Sequence, residues 1–173
     1  MQKQKGFSLI ELLIVVAIIL IIAAIAIPNL LRARMAANES SAAASIRTVT
    51  TGQVTYQTAY PTVGYSADLL SLGGPLSAAC VPNSTSACLI DSVLANNGNP
   101  AATGKSGYSF TSGAGTQSGT VNIGYTILAV PLAINQTGIK AFCAEEDGVV
   151  RVDLNSACSN TEAGILGFNP LNN

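Results

Sequence analysis

The chain has no histidine and no tryptophan, and only 10% of its 173 residues are charged. Without histidine, neither a Ser/His/Asp nor a Cys/His catalytic set can form, and acid–base work would fall to carboxylates, lysine, tyrosine or cysteine. The acidic cluster Glu145–Gly148 has the oxygen ligands that calcium prefers, but a solvated hairpin turn is the simpler interpretation. We therefore predict a protein that is not an enzyme and that uses no metal and no cofactor.

Basic residues are also scarce, since eight lysines and arginines stand against nine acidic residues. Nucleic-acid-binding domains usually carry a basic patch or stripe. The composition therefore predicts no specific nucleic-acid partner.

One long hydrophobic run stands out against this polar background. It extends from Phe7 to Ile27 and contains 21 residues, of which only Ser8 and Glu11 are polar. As a helix it would span roughly 30 Å, which is the thickness of the hydrocarbon core of a bilayer. Lys3 and Lys5 precede it, as expected for a flank on the cytoplasmic side.

The run does not match an ordinary secretory signal, whose apolar region has about 7–15 residues and is followed by an A-x-A-like cleavage site. Here Pro28 and Asn29 follow the run. The one small residue at a suitable boundary is Gly6, before the run. Cleavage there would remove the basic leader, keep the helix and leave Phe7 as the new amino terminus.

Glu11 is the unusual residue of the run. A carboxylate at the bilayer centre costs about 2.5–3.5 kcal/mol on insertion scales and is a functional hypothesis by default. In the first turns of the helix, the positive end of the helix dipole favours an anion. There Glu11 is also within reach of an α-amino group, either its own or that of a neighbouring chain.

The segment Gly6–Leu12, followed by the apolar run and Pro28, resembles the amino terminus of type IV pilins and pseudopilins. The resemblance covers roughly the first thirty residues. It implies cleavage between Gly6 and Phe7 by a prepilin peptidase and N-methylation of Phe7. It also implies that Glu11 docks an incoming subunit through the Phe7 amine of another subunit.

The resemblance further implies a structural, major-type subunit of a type IV pilus. Such a subunit is stored in the inner membrane with its head in the periplasm, and the pilus assembly machinery then polymerises it into an extracellular helical homo-oligomer. A pseudopilin of a type II secretion system would share the same start. A membrane-anchored binding module whose leader is never removed is the third alternative. Leu20 departs from the pattern, because many family members have glycine there. In some filaments of the family the helix is extended between that glycine and the proline.

All four cysteines follow the membrane run, and an even number outside the cytoplasm predicts two disulfides. Three pairings can be drawn. We favour Cys80–Cys88 with Cys143–Cys158, because each bond closes a short loop.

After the anchor, the pattern predicts an α+β, pilin-like fold. Pro28 should bend the helix, which continues to Ala59 with an apolar stripe that includes Ile46, Val49 and Tyr56. The head should contain a roughly four-stranded antiparallel sheet packed on this stripe. The predicted strands are Tyr108–Thr111, Asn122–Val130, Ile139–Ala144 and Val149–Leu154, with a turn at Asp147–Gly148. A long loop over Pro61–Ser106, with one short helix near Ala67–Leu72, should precede them, and an irregular tail over Ser159–Asn173 should follow.

These elements predict four segments. Residues 1–6 form the removed leader, 7–30 the membrane or filament-core helix, 31–60 an amphipathic helix that continues into the head, and 61–173 the head.

Overall fold

The structure is a computed structural model that describes residues 7–77, 79–99, 101–154, 158 and 165–171. The chain divides into two compact units with the boundary between Arg34 and Met35. The first unit contains the apolar part of the first helix. The second contains the rest of that helix and the head, and its α+β fold confirms the predicted class.

The first helix, α1, runs from Leu9 to Ala59 and includes Pro28. Within the head unit, its buried face contains Ile46, Val49 and Tyr56, as the apolar stripe predicts. The helix ends just before Pro61, and the Tyr60 N–H still donates to the Tyr56 carbonyl at 2.8 Å. The bend expected at Pro28 stays a prediction.

The main sheet is antiparallel and has five strands in the order β1-β4-β5-β6-β7, one more than predicted. A separate two-stranded hairpin pairs β2 with β3. The strands are β1 (Tyr108–Ala114), β2 (Gln117–Ser118), β3 (Val121–Asn122), β4 (Tyr125–Pro131), β5 (Ala141–Glu145), β6 (Arg151–Asp153) and β7 (Asn169–Pro170).

The core lies between α1 and this sheet. Phe110 of β1, Ile127 of β4 and Phe142 of β5 were predicted to pack on the apolar stripe of α1. All three belong to one buried cluster with the stripe residues. Burial of a large aliphatic or aromatic side chain contributes about 1.5–3 kcal/mol, so this contact accounts for much of the stability of the head.

The predicted loop over Pro61–Ser106 is partly wrong, because it contains two short helices and only one was expected. They are α2 (Leu69–Gly73), near the short helix expected around Ala67–Leu72, and α3 (Ser92–Ala95), which was not predicted. Asp68 caps α2 by accepting a hydrogen bond from the Ser71 N–H, and Asp91 caps α3 in the same way. A four-residue helix has too few turns to show an apolar period, so the Asp91 cap was its only signal.

The predicted irregular tail is also partly wrong. Residues 159–164 lie outside the described part of the chain, but β7 adds the last strand of the sheet by pairing with β6. Next to it, the Leu171 N–H donates to the Val150 carbonyl at 2.7 Å. Two residues are too few for an alternating pattern, so the sequence could not reveal this strand.

Both disulfides in the structure are the predicted pairs. Cys80–Cys88 lies in the stretch between α2 and α3, and Cys143–Cys158 ties β5 to the chain beyond β6. The Cys80 sulfur also lies 2.8 Å from the Gly73 carbonyl at the end of α2. The first bond therefore closes a loop directly against a helix terminus.

Candidate functional site

The first unit consists of an apolar helix whose side chains are exposed. Every described residue from 7 to 34 is exposed except the half-buried Ala23. Phe7, at its start, is 87% exposed. By length and composition alone, α1 is a helix that could cross a membrane, and its most apolar window has no buried residue. Such a surface needs an apolar surrounding, whether lipid or protein.

Glu11 caps the start of this helix. Ser8 precedes the first helical residue, and its backbone N–H donates to Glu11 Oε2 at 2.9 Å. The Ser8 carbonyl in turn accepts the first helical bond from the Leu12 N–H at 3.3 Å. A serine before a helix with a glutamate three positions later is half of a capping box, in which the glutamate satisfies a backbone donor of the first turn.

The cap gives Glu11 a second role beside the predicted docking of an amine. Only one of its carboxylate oxygens accepts the Ser8 N–H, and the residue is exposed. The spacing Ser8-x-x-Glu11 is readable from the sequence, so this role could have been found there. Neither role excludes the other, because a carboxylate accepts several hydrogen bonds.

The remaining predicted site residues have separate outcomes. Gly6, on the leader side of the cleavage site, lies outside the described residues. Phe7, its neighbour, is described and exposed. Leu20 and Pro28 both lie within α1, so the segment between them is helical in this structure. The predicted cleavage, methylation and docking at these positions remain proposals.

In the head, the predicted solvated turn at Glu145–Gly148 is only partly right. A turn is present, since the Gly148 N–H donates to the Glu145 carbonyl at 2.9 Å and Gly148 has a φ of 72°. Glu145 itself, however, is only 2% exposed. Its Oε1 lies 3.5 Å from the guanidinium of Arg151, which is also largely buried.

Arg151 also pairs with Asp147, so one guanidinium bridges two of the acidic residues. Burial disfavours the charge on Asp147, but hydrogen bonds from Arg151 and from the Val149 N–H outweigh it and lower the pKa of that carboxyl. The Arg151 guanidinium supplies a positive charge next to both Glu145 and Asp147, so calcium is not needed to account for their clustering. They form an internal ion-pair network that joins the turn to β6.

A buried set of hydrogen bonds made by Gln53 joins α1 to the head, and sequence reasoning missed it. Gln53 is completely buried. Its Nε2 donates to the Ser66 carbonyl at 3.0 Å and to Ser112 Oγ at 3.2 Å, while the Ser66 N–H donates to Gln53 Oε1 at 2.8 Å. A lone glutamine on an amphipathic helix gives no signal of burial, because its partners lie 13 and 59 positions away.

Comparison with known proteins gives matches to part of the chain, including this amino-terminal segment. A profile described as the prokaryotic N-terminal methylation motif matches residues 1–27. The type IV wide pilus major component PilA4 of Thermus thermophilus is 53% identical over 57 residues, which cover 33% of this chain and 44% of that protein. The chain is therefore similar, over this part of its length, to a type IV pilin.

A second relative agrees. The type IV major pilin protein PilA of Myxococcus xanthus is 44% identical over 54 residues, which cover 31% of this chain and 24% of that protein. The chain therefore spans less than half the length of either relative. No solved structure matches it significantly.

Proposed function

We propose that this protein is a major-type structural subunit of a type IV pilus. The observation that carries the proposal is an uncovered apolar helix that begins with a methylation motif and contains a carboxylate in its first turn. In the membrane, lipid surrounds this helix. In the fibre, the helices of neighbouring subunits take the place of lipid and form an apolar core.

Two steps precede assembly in this proposal. A prepilin peptidase removes residues 1–6 between Gly6 and Phe7, and a methyl group is added to the new Phe7 amine. The pilus assembly machinery of the inner membrane then draws the subunit into the filament. The names of both relatives as pilus components support this role and a non-enzymatic function.

Glu11 sets the position of an incoming subunit in this proposal. A carboxylate without a partner in an apolar core is costly, and the Phe7 amine of a neighbour relieves that cost. A subunit placed one turn too high or too low leaves both charges without partners. The cap on the Ser8 N–H holds the carboxylate at a fixed place on the helix.

Tandem mass spectrometry of the amino-terminal peptide, from sheared extracellular material and from membranes separately, tests the processing. A peptide that begins with methylated Phe7 and is abundant in the sheared fraction supports a pilus subunit. The same peptide confined to membranes indicates a pseudopilin of a type II secretion system. Retention of residues 1–6 in mature cells identifies a membrane-anchored module and overturns the filament proposal.

Two substitutions separate the roles of Glu11. Glu11→Ala removes both the charge and the cap, whereas Glu11→Gln keeps an oxygen that can accept the Ser8 N–H and removes only the charge. We expect both variants to insert and to be cleaved, and both to form far fewer fibres in electron micrographs. Normal piliation by Glu11→Gln would leave capping as the role of Glu11 and would refute the pairing with an amine.

A further inference from the structure

The loop between β4 and β5, residues 132–140, exposes an unusual amount of aliphatic surface. Leu132 is 51% exposed, Ile134 57% and Ile139 43%. These three side chains fall within eight positions, and the chain carries no charge from Pro131 to Ile139. Single exposed aliphatic residues are ordinary in soluble proteins, but a concentration of them marks a surface that contacts something apolar.

The exposed side chains do not result from a loose loop, because the backbone is tightly bonded within itself. The Asn135 N–H donates to the Gly138 carbonyl at 3.0 Å, and the Thr137 N–H donates to the Ala133 carbonyl at 2.9 Å. The Thr137 hydroxyl accepts from the Ala133 N–H at 3.1 Å. These bonds satisfy polar groups of the loop internally.

The polar side of the loop is anchored to α1. Asn38 Nδ2 donates to the Thr137 carbonyl at 2.8 Å, and Glu39 Oε1 accepts from the Ile139 N–H at 3.0 Å. The Lys140 ammonium lies 3.5 Å from the other oxygen of Glu39. The loop thus turns its hydrogen-bonding groups to the helix and leaves its aliphatic side chains to the surroundings.

The helix residue that anchors this loop follows closely in sequence after the apolar part of α1. Asn38, one of the anchors, follows Arg34 by four residues, and even a fully extended chain of that length spans at most about 15 Å. Arg32 and Arg34 are the first charged residues after Glu11. They therefore mark the end of the stretch that hydrocarbon can accept.

We infer that the β4–β5 loop is a membrane-contact surface, which seats the head on the head-group layer of the bilayer while the subunit waits for assembly. The inference rests on the membrane-held precursor of the proposed function. Uncharged aliphatic side chains on a rigid turn suit the boundary between head groups and acyl chains. Asn135 and Gln136, in the same turn, supply amides that hydrogen-bond to lipid head groups.

Tryptophan fluorescence tests the inference without background, since the chain contains no tryptophan. Full-length Ile134→Trp is reconstituted in vesicles of phosphatidylglycerol and phosphatidylcholine, with the phosphatidylcholine plain or brominated near the head-group end of its acyl chains. The matched control is Ile123→Trp, because Ile123 is 48% exposed and precedes the far end of β4. The two sites are roughly 20 Å apart along that strand.

We expect bromine to reduce the emission of Ile134→Trp about twofold, because a side chain at the boundary lies against the quencher, and to leave Ile123→Trp nearly unchanged. Leu132→Trp, a second reporter on the same loop, should follow Ile134→Trp. Equal quenching at both ends of β4, or none at either end, overturns the inference. An emission shift that depends on the protein-to-lipid ratio and not on bromine indicates contact with a second copy of the chain and also overturns it.

Flotation of the wild-type chain with the same vesicles separates the two proposals. If the wild-type chain floats but the emission of Ile134→Trp is not quenched, the membrane helix is supported and only the loop contact is overturned. A chain that does not float overturns the membrane precursor, and the loop contact fails with it.

Discussion

Replacing Gln53 with leucine should strongly destabilise the head although the volume of the side chain hardly changes. Gln53 and Ser66 are both completely buried. The glutamine bonds both the N–H and the carbonyl of Ser66. Leucine offers neither a donor nor an acceptor, so both backbone groups would remain buried without a partner.

The magnitude follows from these two groups. A buried polar group without a partner costs about 1–3 kcal/mol, so the pair costs about 2–6 kcal/mol. The additional apolar surface that leucine buries offsets about 1–2 kcal/mol of this cost. We therefore expect the free energy of unfolding to fall by about 2.5 kcal/mol, the middle of a range that extends to about 5 kcal/mol. With a urea dependence of about 2 kcal/mol per molar, the midpoint of unfolding moves down by roughly 1 M.

The assay is urea unfolding of the full-length chain in detergent, followed by near-ultraviolet circular dichroism of the tyrosines. Gln57→Leu is the matched control, because Gln57 lies one turn further along α1 and is only partly buried. Its midpoint should stay within a few tenths of a molar of the wild type. If the midpoint of Gln53→Leu is equal to or above that of the wild type, the hydrogen bonds of Gln53 do not stabilise the head.

Three further effects are expected in the same unfolding assay. Gly138→Ala should destabilise by about 1–3 kcal/mol, since a Cβ there would lie 2.1 Å from the Tyr108 hydroxyl oxygen. Serine at both Cys80 and Cys88 opens a loop of eight-residue separation and should cost about 2–3 kcal/mol. Asp147→Asn should reduce the amount of stability that is lost on acidification. Folding lowers the pKa of this carboxyl, so it stabilises the fold above its unfolded pKa of about 3.9, and the contribution is lost as the pH falls through its folded pKa.

Each of these expectations has a control or a contrary outcome. Gly113→Ala is the control for the glycine, because its nearest neighbour would be 3.3 Å away, and equal losses in both variants would contradict the clash with Tyr108. An unchanged midpoint for the double serine variant would show that the loop is held by other contacts. For Asp147→Asn, a pH profile parallel to the wild type below about pH 4 would mean that its ion pair does not stabilise the fold.

The sequence predicted the elements whose hydrophobic pattern repeats over many residues. The stripe on α1 repeats over several turns, and its buried residues Ile46, Val49 and Tyr56 were identified by period alone. The long strands β1 and β4 were found for the same reason. Their predicted bounds differ from the observed ones by a few residues, because hydrogen bonding to neighbours decides where a strand ends.

What was missed depends on partners that are distant in the sequence. Glu145 appeared to be part of an exposed acidic turn, but Arg151 allows it to lie buried in β5. Gln53 appeared to be an ordinary polar residue of a helix, and only the loop at Ser66 reveals why it is inside. In contrast, the cap between Ser8 and Glu11 is local, and its spacing was available from the start.

The order of the core elements along the chain determines when the apolar face of α1 can be covered during synthesis. The stripe of α1 is complete at Tyr56, but β5, which covers part of it, ends 89 residues later at Glu145. At about 5–20 residues per second, roughly 4–18 s pass between the two. Throughout that interval the sheet that covers the apolar face of the helix is incomplete, because β1, β4 and β5 all contribute to the core packed on it. We expect the emerging chain to require a holding factor for those seconds, and cells that lack one to lose the subunit to aggregation before any filament is built.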